Sequence, residues 1–244
     1  IVVAHQKVFD ILLRHYTAVE AEKIVSSWLV SGDFLLAAIE GGFSHVVGNP
    51  PYIRVENIPK PILSEYRARF STMTDRADIY VAFFEKSLRL LKNQGKLSFI
   101  CTDRWVKNRY GRGLRAFVDE GYNLDLYVDL YGQDSFQTKV LTYPAITQIS
   151  KRKKKSALVA HSIDVNDEMA GRVYSALRSE DKSIDGVVVR VGITNQSEPW
   201  LIGCPDELAL VRRLEADFSC LEDQGCDVFI GAATGNNKVF IVDS

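Results

Sequence analysis

The sequence contains 244 residues, of which 46% are hydrophobic and 25% are charged, enough for one large domain or one and a half ordinary ones. Thirty Lys and Arg residues against 31 Asp and Glu residues give a formal net charge of -1, which excludes a strong overall positive field, so any surface that binds nucleic acid must be local. The longest uninterrupted apolar run, residues 34–39, is far below the roughly 20 residues that a transmembrane helix needs, which excludes such a helix.

The ends of the sequence and its cysteines restrict the protein class further. Residues 1–4 lack the basic start, long apolar region and cleavage site of a secretory signal, which predicts a cytoplasmic protein. None of the four cysteines stands in a C-x-x-C pair, and the four histidines do not cluster with them, so we expect neither a disulfide framework nor a metal site. The sequence opens on Ile1 and closes in an apolar run, residues 239–242, which we interpret as a piece of a longer polypeptide.

Hydrophobic periodicity predicts that helices and strands alternate over the first two thirds of the sequence. The predicted helices cover residues 6–31 (as one or two amphipathic helices), 78–92 and 113–120. The predicted strands cover residues 43–48, 96–101, 124–130, 140–149 and 157–163, the first of them short and buried. This alternation is typical of an α/β fold with a doubly wound sheet.

The pattern changes after residue 164. A helix over residues 167–177, a β-prone run over 187–193 and a helix over 205–216 predict a connector. Residues 228–242 place a Gly/Asn turn between two β-prone runs, which predicts a hairpin at the start of another domain. The basic run at residues 151–155 is predicted to be an exposed hairpin loop, with DNA contact as the second interpretation.

A rigid polar tetrapeptide, Asn49-Pro50-Pro51-Tyr52, directly follows the first predicted strand. Ligands of open α/β sheets bind beyond the carboxyl ends of the strands, which makes this loop a candidate site. The two prolines fix φ at about -65° and remove two backbone donors, so the loop is stiff and rich in acceptors.

The same tetrapeptide offers a defined chemistry to an amino group. The side-chain oxygen of Asn49 and the carbonyl of Pro50 can accept the two hydrogens of one amine, and this stabilisation grows as the amine becomes pyramidal and nucleophilic. Tyr52 adds an aromatic face on which a flat substrate can stack. Taken alone, the tetrapeptide is explained equally well as a Pro-Pro turn followed by a core tyrosine.

At these residues the sequence resembles the amino-methyltransferases that use S-adenosyl-L-methionine, in which N-P-P-Y is the catalytic loop. Residues 32–35 (GDFL) look like the segment of that family whose acid and following backbone hold the adenine of the cofactor. The resemblance, over about residues 20–150, is to the adenine-N6 DNA methylases of type IIG (Eco57I-like) restriction-modification and related phage-defence systems. The further segments that carry it are residues 76–86, 91–100, 103–111, 135–139 and 142–146, and residues 231–240 look like the start of the target-recognition region of that family.

The resemblance implies a fold and a division of the chain. Residues 1–163 would form a partial Rossmann-like methyltransferase sheet that depends on S-adenosylmethionine. Residues 164–225 would be a helical/β connector, and residues 226–244 the beginning of the target-recognition region. The implied enzyme flips adenine out of double-stranded DNA, because the N6 atom cannot be reached inside the base stack.

The resemblance also implies roles for the loop. Asn49, Pro50, Pro51 and Tyr52 would form the catalytic site, with the flipped base between Tyr52 and Phe136. Asn49 and Pro50 would orient N6 toward the methyl sulfonium for direct transfer, so neither a metal nor a covalent nucleophile is needed. Ordinary packing is the alternative interpretation of Phe136.

Two further groups of residues have implied roles and open alternatives. Asp33, Phe34 and Phe83 would bind the cofactor. However, Asp33 is also a natural cap for a helix that begins near Phe34, and Phe83 also fits the core face of its helix. The predicted contacts to the DNA backbone are Arg104, Lys107 and Arg109, which belong to a basic cluster after a strand end, together with Lys139. For the basic cluster that begins at Arg104, which also includes Arg112 and Arg115, a solvated helix face is an equal alternative.

The sequence departs from this family by lacking its first two motifs. A glycine-rich turn and a later acid normally hold the cofactor, but no glycine before Asn49 stands in a G-x-G turn that precedes a helix. We therefore expect a missing N-terminal part of the same polypeptide to carry these motifs, and the chain alone to bind the cofactor weakly or not at all. The strand over residues 43–48 would then be an exposed edge, which promotes dimerisation or aggregation.

Two alternatives to adenine methylation stay open. The N-P-P-Y loop also serves methyltransferases that act on protein glutamine or on RNA; here residues 102–105 continue into a basic segment, which favours DNA. The chain is alternatively a catalytically inert DNA-binding scaffold, although binding alone would not need Asn49 and Tyr52. Restriction or defence subunits are the other expected partners.

Overall fold

The computed structural model describes residues 2–130, 144–154, 156–161, 163, 166–179, 183–184, 188–192, 198–200, 202, 205–227 and 229. The helices are α1 (Val2–Leu12), α2 (Ala18–Trp28), α3 (Lys60–Arg69), α4 (Tyr80–Arg89), α5 (Arg104–Lys107), α6 (Arg112–Gly121), α7 (Asp167–Arg178) and α8 (Pro205–Asp217). The strands are β1 (Phe43–Gly48), β2 (Leu91–Thr102), β3 (Asn123–Asp129), β4 (Pro144–Ser150), β5 (Ser156–Ala160), β6 (Ser183–Ile184) and β7 (Val188–Gly192). The chain divides into two compact units, Ile1–Trp200 and Leu201–Ser244.

All seven strands form one sheet within the first unit, in the order β1-β2-β4-β3-β5-β7-β6. β1 is parallel to β2, and β3 is parallel to β5, whereas β4 is inserted antiparallel to both of its neighbours, β2 and β3. β1, β2 and β3 therefore all point the same way, and their carboxyl ends lie at one edge of the sheet. The predicted α/β fold is confirmed.

β1 is one of the two edge strands of this sheet, and β6 is the other. β1 pairs with β2 on one side, and in the described part of the chain no strand pairs with its other side. Val47 is 79% exposed and Phe43 44%, so the strand is not buried, contrary to the prediction. The expectation of an exposed edge over residues 43–48 is confirmed.

α4 packs against β2. Its apolar face, predicted from the sequence, buries Phe84 and Leu88 completely. The Phe84 ring meets the rings of Phe99 and Trp105 at centroid distances of 4.9 and 5.4 Å. Aromatic contacts of this kind add to the free energy of burial, so α4 is anchored to β2 and α5 independently of its other contacts.

The boundary between α4 and β2 differs from the prediction. The helix ends at Arg89 rather than at residue 92, and β2 already begins at Leu91. Residues 93–95 form an irregularity within the strand, where Gln94 has a φ of 63° and the pairing with β1 shifts register. The Asn-Gln-Gly sequence therefore interrupts a strand and does not end a helix. Gly95 packs closely against the neighbouring strand, since a Cβ at this position would stand 2.9 Å from the carbonyl oxygen of Phe43.

The basic run after β4 is not a hairpin loop. β4 and β5 lie on opposite sides of β3, so the chain from Lys151 onward crosses the amino end of β3. Arg152 donates to Asp125 Oδ1 of β3 at 2.8 Å, and Lys151 donates to the Leu91 carbonyl at 3.0 Å. This edge is opposite the carboxyl ends of β1 and β2, which places residues 151–154 far from the Asn49 loop.

The sheet continues beyond residue 163, because β7 pairs antiparallel with β5 and β6 pairs with β7. The predicted helices at the connector are present as α7 and α8. Of the predicted hairpin over 228–242, all but residue 229 lies outside the described residues. The predicted limits of connector and recognition region stay predictions.

The N-terminal amphipathic stretch forms two helices, α1 and α2, which pack together through Leu12, Ala21 and Val25. A capping box between Thr17 and Glu20 fixes the start of α2. Among the described residues, none of the helices has the length and apolar composition that crossing a membrane requires.

Candidate active site

The Asn49 loop begins where β1 ends, at the carboxyl edge of the sheet. Gly48 pairs with Phe99 of β2, and a Cβ at Gly48 would stand 3.2 Å from the Phe99 ring. The small residue therefore lets the chain turn tightly over β2 into the loop. Pro50 is buried, whereas Asn49 is exposed and Tyr52 is 38% exposed. The loop thus presents its amide and its phenol ring to a ligand while the first proline is fixed in the protein.

Asn49 and Tyr52 contact each other within this loop. The Tyr52 hydroxyl donates to Asn49 Oδ1 at 3.1 Å. An amide oxygen has two lone pairs. Tyr52 holds one acceptor position, and no other described residue donates to the second, which a ligand amine can therefore use. The structure therefore brings two predicted catalytic residues together, and the contact orients the Asn49 amide.

Cys101, near the end of β2, lies within hydrogen-bonding reach of the Tyr52 hydroxyl. Burial, and then the nearby Cys101, raise the pKa of Tyr52 to about 12. Burial also raises the pKa of the Cys101 thiol. Both groups therefore stay protonated at neutral pH. Cys101 was not among the residues predicted from the sequence, although its position two residues beyond the partner of Gly48 indicates a place beside the loop.

A charged group adjoins the loop on the side of α4. The Ile79 amide donates to the Ile53 carbonyl at 3.0 Å, which ties the chain after Tyr52 to the residues that precede α4. Burial raises the pKa of Asp78 here, while the charges of Arg54 and Arg104 oppose that shift. Arg104, predicted to contact DNA, is half-buried and acts electrostatically on Asp78.

The segment predicted to hold the cofactor forms a single turn over residues 33–37. The Asp33 carbonyl accepts from the amides of Leu36 and Ala37 at 3.2 and 2.9 Å. Asp33 Oδ1 accepts from the Leu35 amide at 2.8 Å, and the Tyr66 hydroxyl of α3 donates to Oδ2 at 2.5 Å. Asp33 therefore caps one turn and not a helix, and its carboxylate is held in place from two sides while it stays exposed.

The two predicted aromatic residues of the cofactor site are in contact. The rings of Phe34 and Phe83 stack at a centroid distance of 5.1 Å and an interplanar angle of 22°. Both side chains are half-buried, so Phe83 lies at the margin of the core rather than inside it. Lys86, one turn further along α4, donates to the carbonyls of Phe34, Leu35 and Ala37. Lys86 and Tyr66 were not predicted from the sequence, since nothing in their spacing indicates contact with residues 33–37.

The predicted DNA contacts differ in their surroundings. Lys107 and Arg109 are exposed, and Lys107 pairs with Asp103 at 3.3 Å. Arg115, included in the same basic cluster, is 1% exposed, which corrects that interpretation. Its guanidinium donates to the carbonyls of Trp105 and Asn108 at 2.6 and 2.9 Å, so it stabilises the fold and does not face solvent.

Two predicted site residues, Phe136 and Lys139, lie outside the described residues. In the part of the chain that the structure describes, no group of three or more His, Cys, Asp or Glu side chains is arranged to hold a metal ion.

The chain is similar to known proteins in sequence. The family model of the Eco57I restriction-modification methylase matches residues 7–136. The chain is 47% identical to the Type II methyltransferase M.PaeR7I of Pseudomonas aeruginosa, over 91% of the chain and 39% of that protein. It is also 47% identical to the Type II methyltransferase M.XhoI of Xanthomonas vasicola, over 91% of the chain and 42% of that protein. The chain therefore spans about two fifths of the length of these relatives.

The fold is similar to that of solved structures. The type I restriction-modification system methyltransferase subunit from Streptococcus thermophilus superposes with a TM-score of 0.53 at 15% identity, over 72% of this chain and 42% of that chain. A putative class I S-adenosylmethionine-dependent methyltransferase from Listeria monocytogenes gives a TM-score of 0.51 at 13% identity, over 70% of this chain and 58% of that chain. At such identity the likeness concerns the fold alone.

Proposed function

The chain belongs to the family of Eco57I restriction-modification methylases, and from this premise we propose that it is the catalytic part of a DNA methyltransferase that modifies N6 of adenine. The observation that carries the proposal is the Asn49 loop at the carboxyl edge of β1, with an exposed amide and a partly exposed phenol ring. The relatives named as Type II methyltransferases support it.

The loop would act by positioning an amine. The second lone pair of Asn49 Oδ1 and the carbonyl of Pro50 accept the two amino hydrogens of adenine. These hydrogen bonds draw the nitrogen lone pair out of conjugation and strengthen as the nitrogen becomes tetrahedral, so they favour the transition state over the ground state. S-adenosyl-L-methionine, when bound, supplies the electrophilic methyl group. Pro51 keeps the loop rigid, and alignment provides much of the acceleration.

Adenine would reach this loop by flipping out of double-stranded DNA, because its N6 is inaccessible within the duplex. The exposed part of the Tyr52 ring offers one stacking face, and Phe136 is the proposed second face. Arg104, Lys107, Arg109 and Lys139 would contact phosphates near this edge of the sheet.

The residues of the 33–37 turn fit the adenine end of the cofactor. A 6-aminopurine carries an amino donor and flat faces; Asp33 supplies an exposed carboxylate acceptor, and Phe34 and Phe83 supply partly exposed rings. No G-x-G turn precedes the Asn49 loop. We therefore propose that the 244-residue chain by itself binds the cofactor weakly or not at all and is inactive. Isothermal titration calorimetry tests this, and micromolar binding contradicts it.

The intact enzyme would act on DNA in the cytoplasm, together with an N-terminal part of the same polypeptide and with restriction or phage-defence subunits. The family itself, which is defined by restriction-modification, supports these partners.

The test is to express the complete gene product in a host without other adenine methylases and to measure N6-methyladenine in its DNA by mass spectrometry. We expect methyladenine with the wild type and none with Asn49→Ala. Asn57→Ala is the matched control, because Asn57 is an exposed asparagine in the 3-10 turn just beyond the loop. Absence of methyladenine in the wild type, or its persistence in Asn49→Ala, contradicts the proposal; in the first case protein glutamine and RNA are the substrates to assay next.

A further inference from the structure

A buried lysine of α4 donates hydrogen bonds to the backbone of the 33–37 turn. Lys86, in α4, donates to the carbonyl oxygens of Leu35 and Ala37 at 3.2 and 2.6 Å and also to that of Phe34. Its ammonium nitrogen lies 5.0 Å from the centroid of the Phe34 ring. The side chain is 9% exposed. Three donors of one ammonium thus meet three acceptors that lie close together in the sequence.

The chemistry of this contact is specific to a cation. Carbonyl oxygens at the end of a turn have no amide partners further along the chain. An ammonium group has three donors and no acceptor, and hydrogen bonds from a charged donor are stronger than neutral ones. The remaining carbonyl, that of Leu36, accepts from Arg69 at 3.4 Å. The carbonyls of residues 34–37 therefore all receive hydrogen bonds from cationic side chains of α3 and α4.

The same turn carries the proposed cofactor residues. Asp33 is fixed on its other side by Leu35 and Tyr66, and Phe34 stacks on Phe83, which stands three residues before Lys86 on α4. If the turn opened, the exposed carboxylate and the stacked ring would lose their relative positions. We propose that Lys86 is a positioning residue for cofactor binding, which keeps Asp33 and Phe34 in the conformation that receives adenine. This inference rests on the proposed function of residues 33–37.

The effect of removing Lys86 should be local. α4 is anchored by Phe84 and Leu88, which are fully buried and do not depend on the lysine. Lys86→Met keeps a long apolar stem and removes the donors. Lys86→Arg keeps the positive charge and several donors in a different geometry. Lys92→Met is the matched control, because Lys92 is an exposed lysine on the neighbouring strand.

The experiment uses the complete gene product and two measurements. The first is hydrogen exchange of the 35–37 amides without cofactor, which directly reports how often the turn opens. The second is the steady-state rate of methylation, measured in one series with S-adenosyl-L-methionine as the varied substrate and in another with DNA as the varied substrate. We expect Lys86→Met to speed exchange at residues 35–37 and to raise the KM for the cofactor by about tenfold, the loss expected for charge-assisted hydrogen bonds. The kcat at saturating cofactor and the KM for DNA should stay unchanged, and Lys86→Arg should recover part of the loss.

The outcomes separate this inference from the proposed function. If wild type binds the cofactor and Lys86→Met binds it equally well, the positioning role is wrong and the proposed function stands. Faster exchange throughout β2 as well would show a general loss of stability, which also overturns the positioning role. If the wild type neither binds the cofactor nor methylates DNA, the proposed function fails and the inference fails with it.

Discussion

The Tyr52 hydroxyl donates a hydrogen bond to Asn49 Oδ1, at 3.1 Å, within the loop that we propose as catalytic. Asn49 is exposed, and no other described residue forms a hydrogen bond with its amide. The contact with Tyr52 therefore sets the orientation of the amide. Tyr52 therefore has two separable parts: a hydroxyl that orients Asn49, and a ring that belongs to a residue 38% exposed.

This separation predicts different effects for two substitutions of Tyr52. Tyr52→Phe removes only the hydroxyl, which should cost about 0.5–1.5 kcal/mol of transition-state stabilisation and lower kcat. Tyr52→Ala also removes the stacking face, worth about 1–3 kcal/mol per base, and should raise the KM for DNA as well. Steady-state kinetics of the complete gene product measure both; equal defects in the two variants would contradict the separation.

Glu85 should be critical for stability. Its buried carboxylate accepts from the amide and hydroxyl of Ser71 at 3.3 and 3.2 Å and from the Thr72 amide at 2.8 Å, and it pairs with Arg89. Glu85→Gln places an amide NH₂ against these donors, so we expect a loss of about 3 kcal/mol in the free energy of unfolding.

Urea denaturation measures this loss. The matched control is Glu65→Gln, because Glu65 pairs with Arg69 at 3.5 Å on the surface, where both side chains are at least half exposed. That change should stay within about 0.5 kcal/mol, since exposed ion pairs contribute little. Similar losses in both variants would show that burial does not decide the effect.

Gly111 should tolerate no side chain. A Cβ there would stand 1.9 Å from the Trp105 carbonyl oxygen, whereas a Cβ at Gly121, at the other end of α6, would meet nothing within 4 Å. Gly111→Ala should therefore cost about 3 kcal/mol and lower Tm by several degrees. Gly121→Ala should leave Tm unchanged or slightly raised. Differential scanning calorimetry distinguishes them, and an unchanged Tm for Gly111→Ala would refute the close approach.

Alkaline pH should weaken the contact between Tyr66 and Asp33. Burial, followed by the hydrogen bond to Asp33, raises the pKa of Tyr66 to about 12. A raised pKa means that the folded state binds the proton more tightly, so the stabilisation is complete below about pH 10 and is lost as the pH approaches about 12. The difference in Tm between wild type and Tyr66→Phe should shrink over this range. A difference that stays constant up to pH 12 would contradict the assignment.

The open edge of β1 should make the 244-residue chain self-associate. Val47 is 79% exposed on a strand with one described neighbour, and such edges pair with other strands. Sedimentation velocity should show oligomers that grow with concentration. Val47→Lys should reduce them, because a charge on an edge strand opposes pairing. A monomer at high concentration in the wild type would count against this prediction.

The sequence by itself determined where most of the helices and strands lie, although it did not predict α3, and it determined where the candidate loop stands. Helical and alternating periodicity depend on neighbouring residues only, so α6, β1 and β3 were predicted within a few residues. The Asn49 loop was identified because two prolines cannot continue a strand. Residues 33–35 were identified by resemblance to a family, and the contact of Phe34 with Phe83 agrees with that assignment.

Only the tertiary structure decided which distant residues meet. Because β4 is inserted between β2 and β3, the chain after β4 crosses the amino end of β3 and does not form the predicted hairpin. The packing around Trp105 buries Arg115. Lys86 and Phe34 are 52 positions apart, and their contact depends on how α4 docks on the sheet. Periodicity assigns a face to a side chain but not a partner, because partners are set by the packing of elements that are remote in sequence.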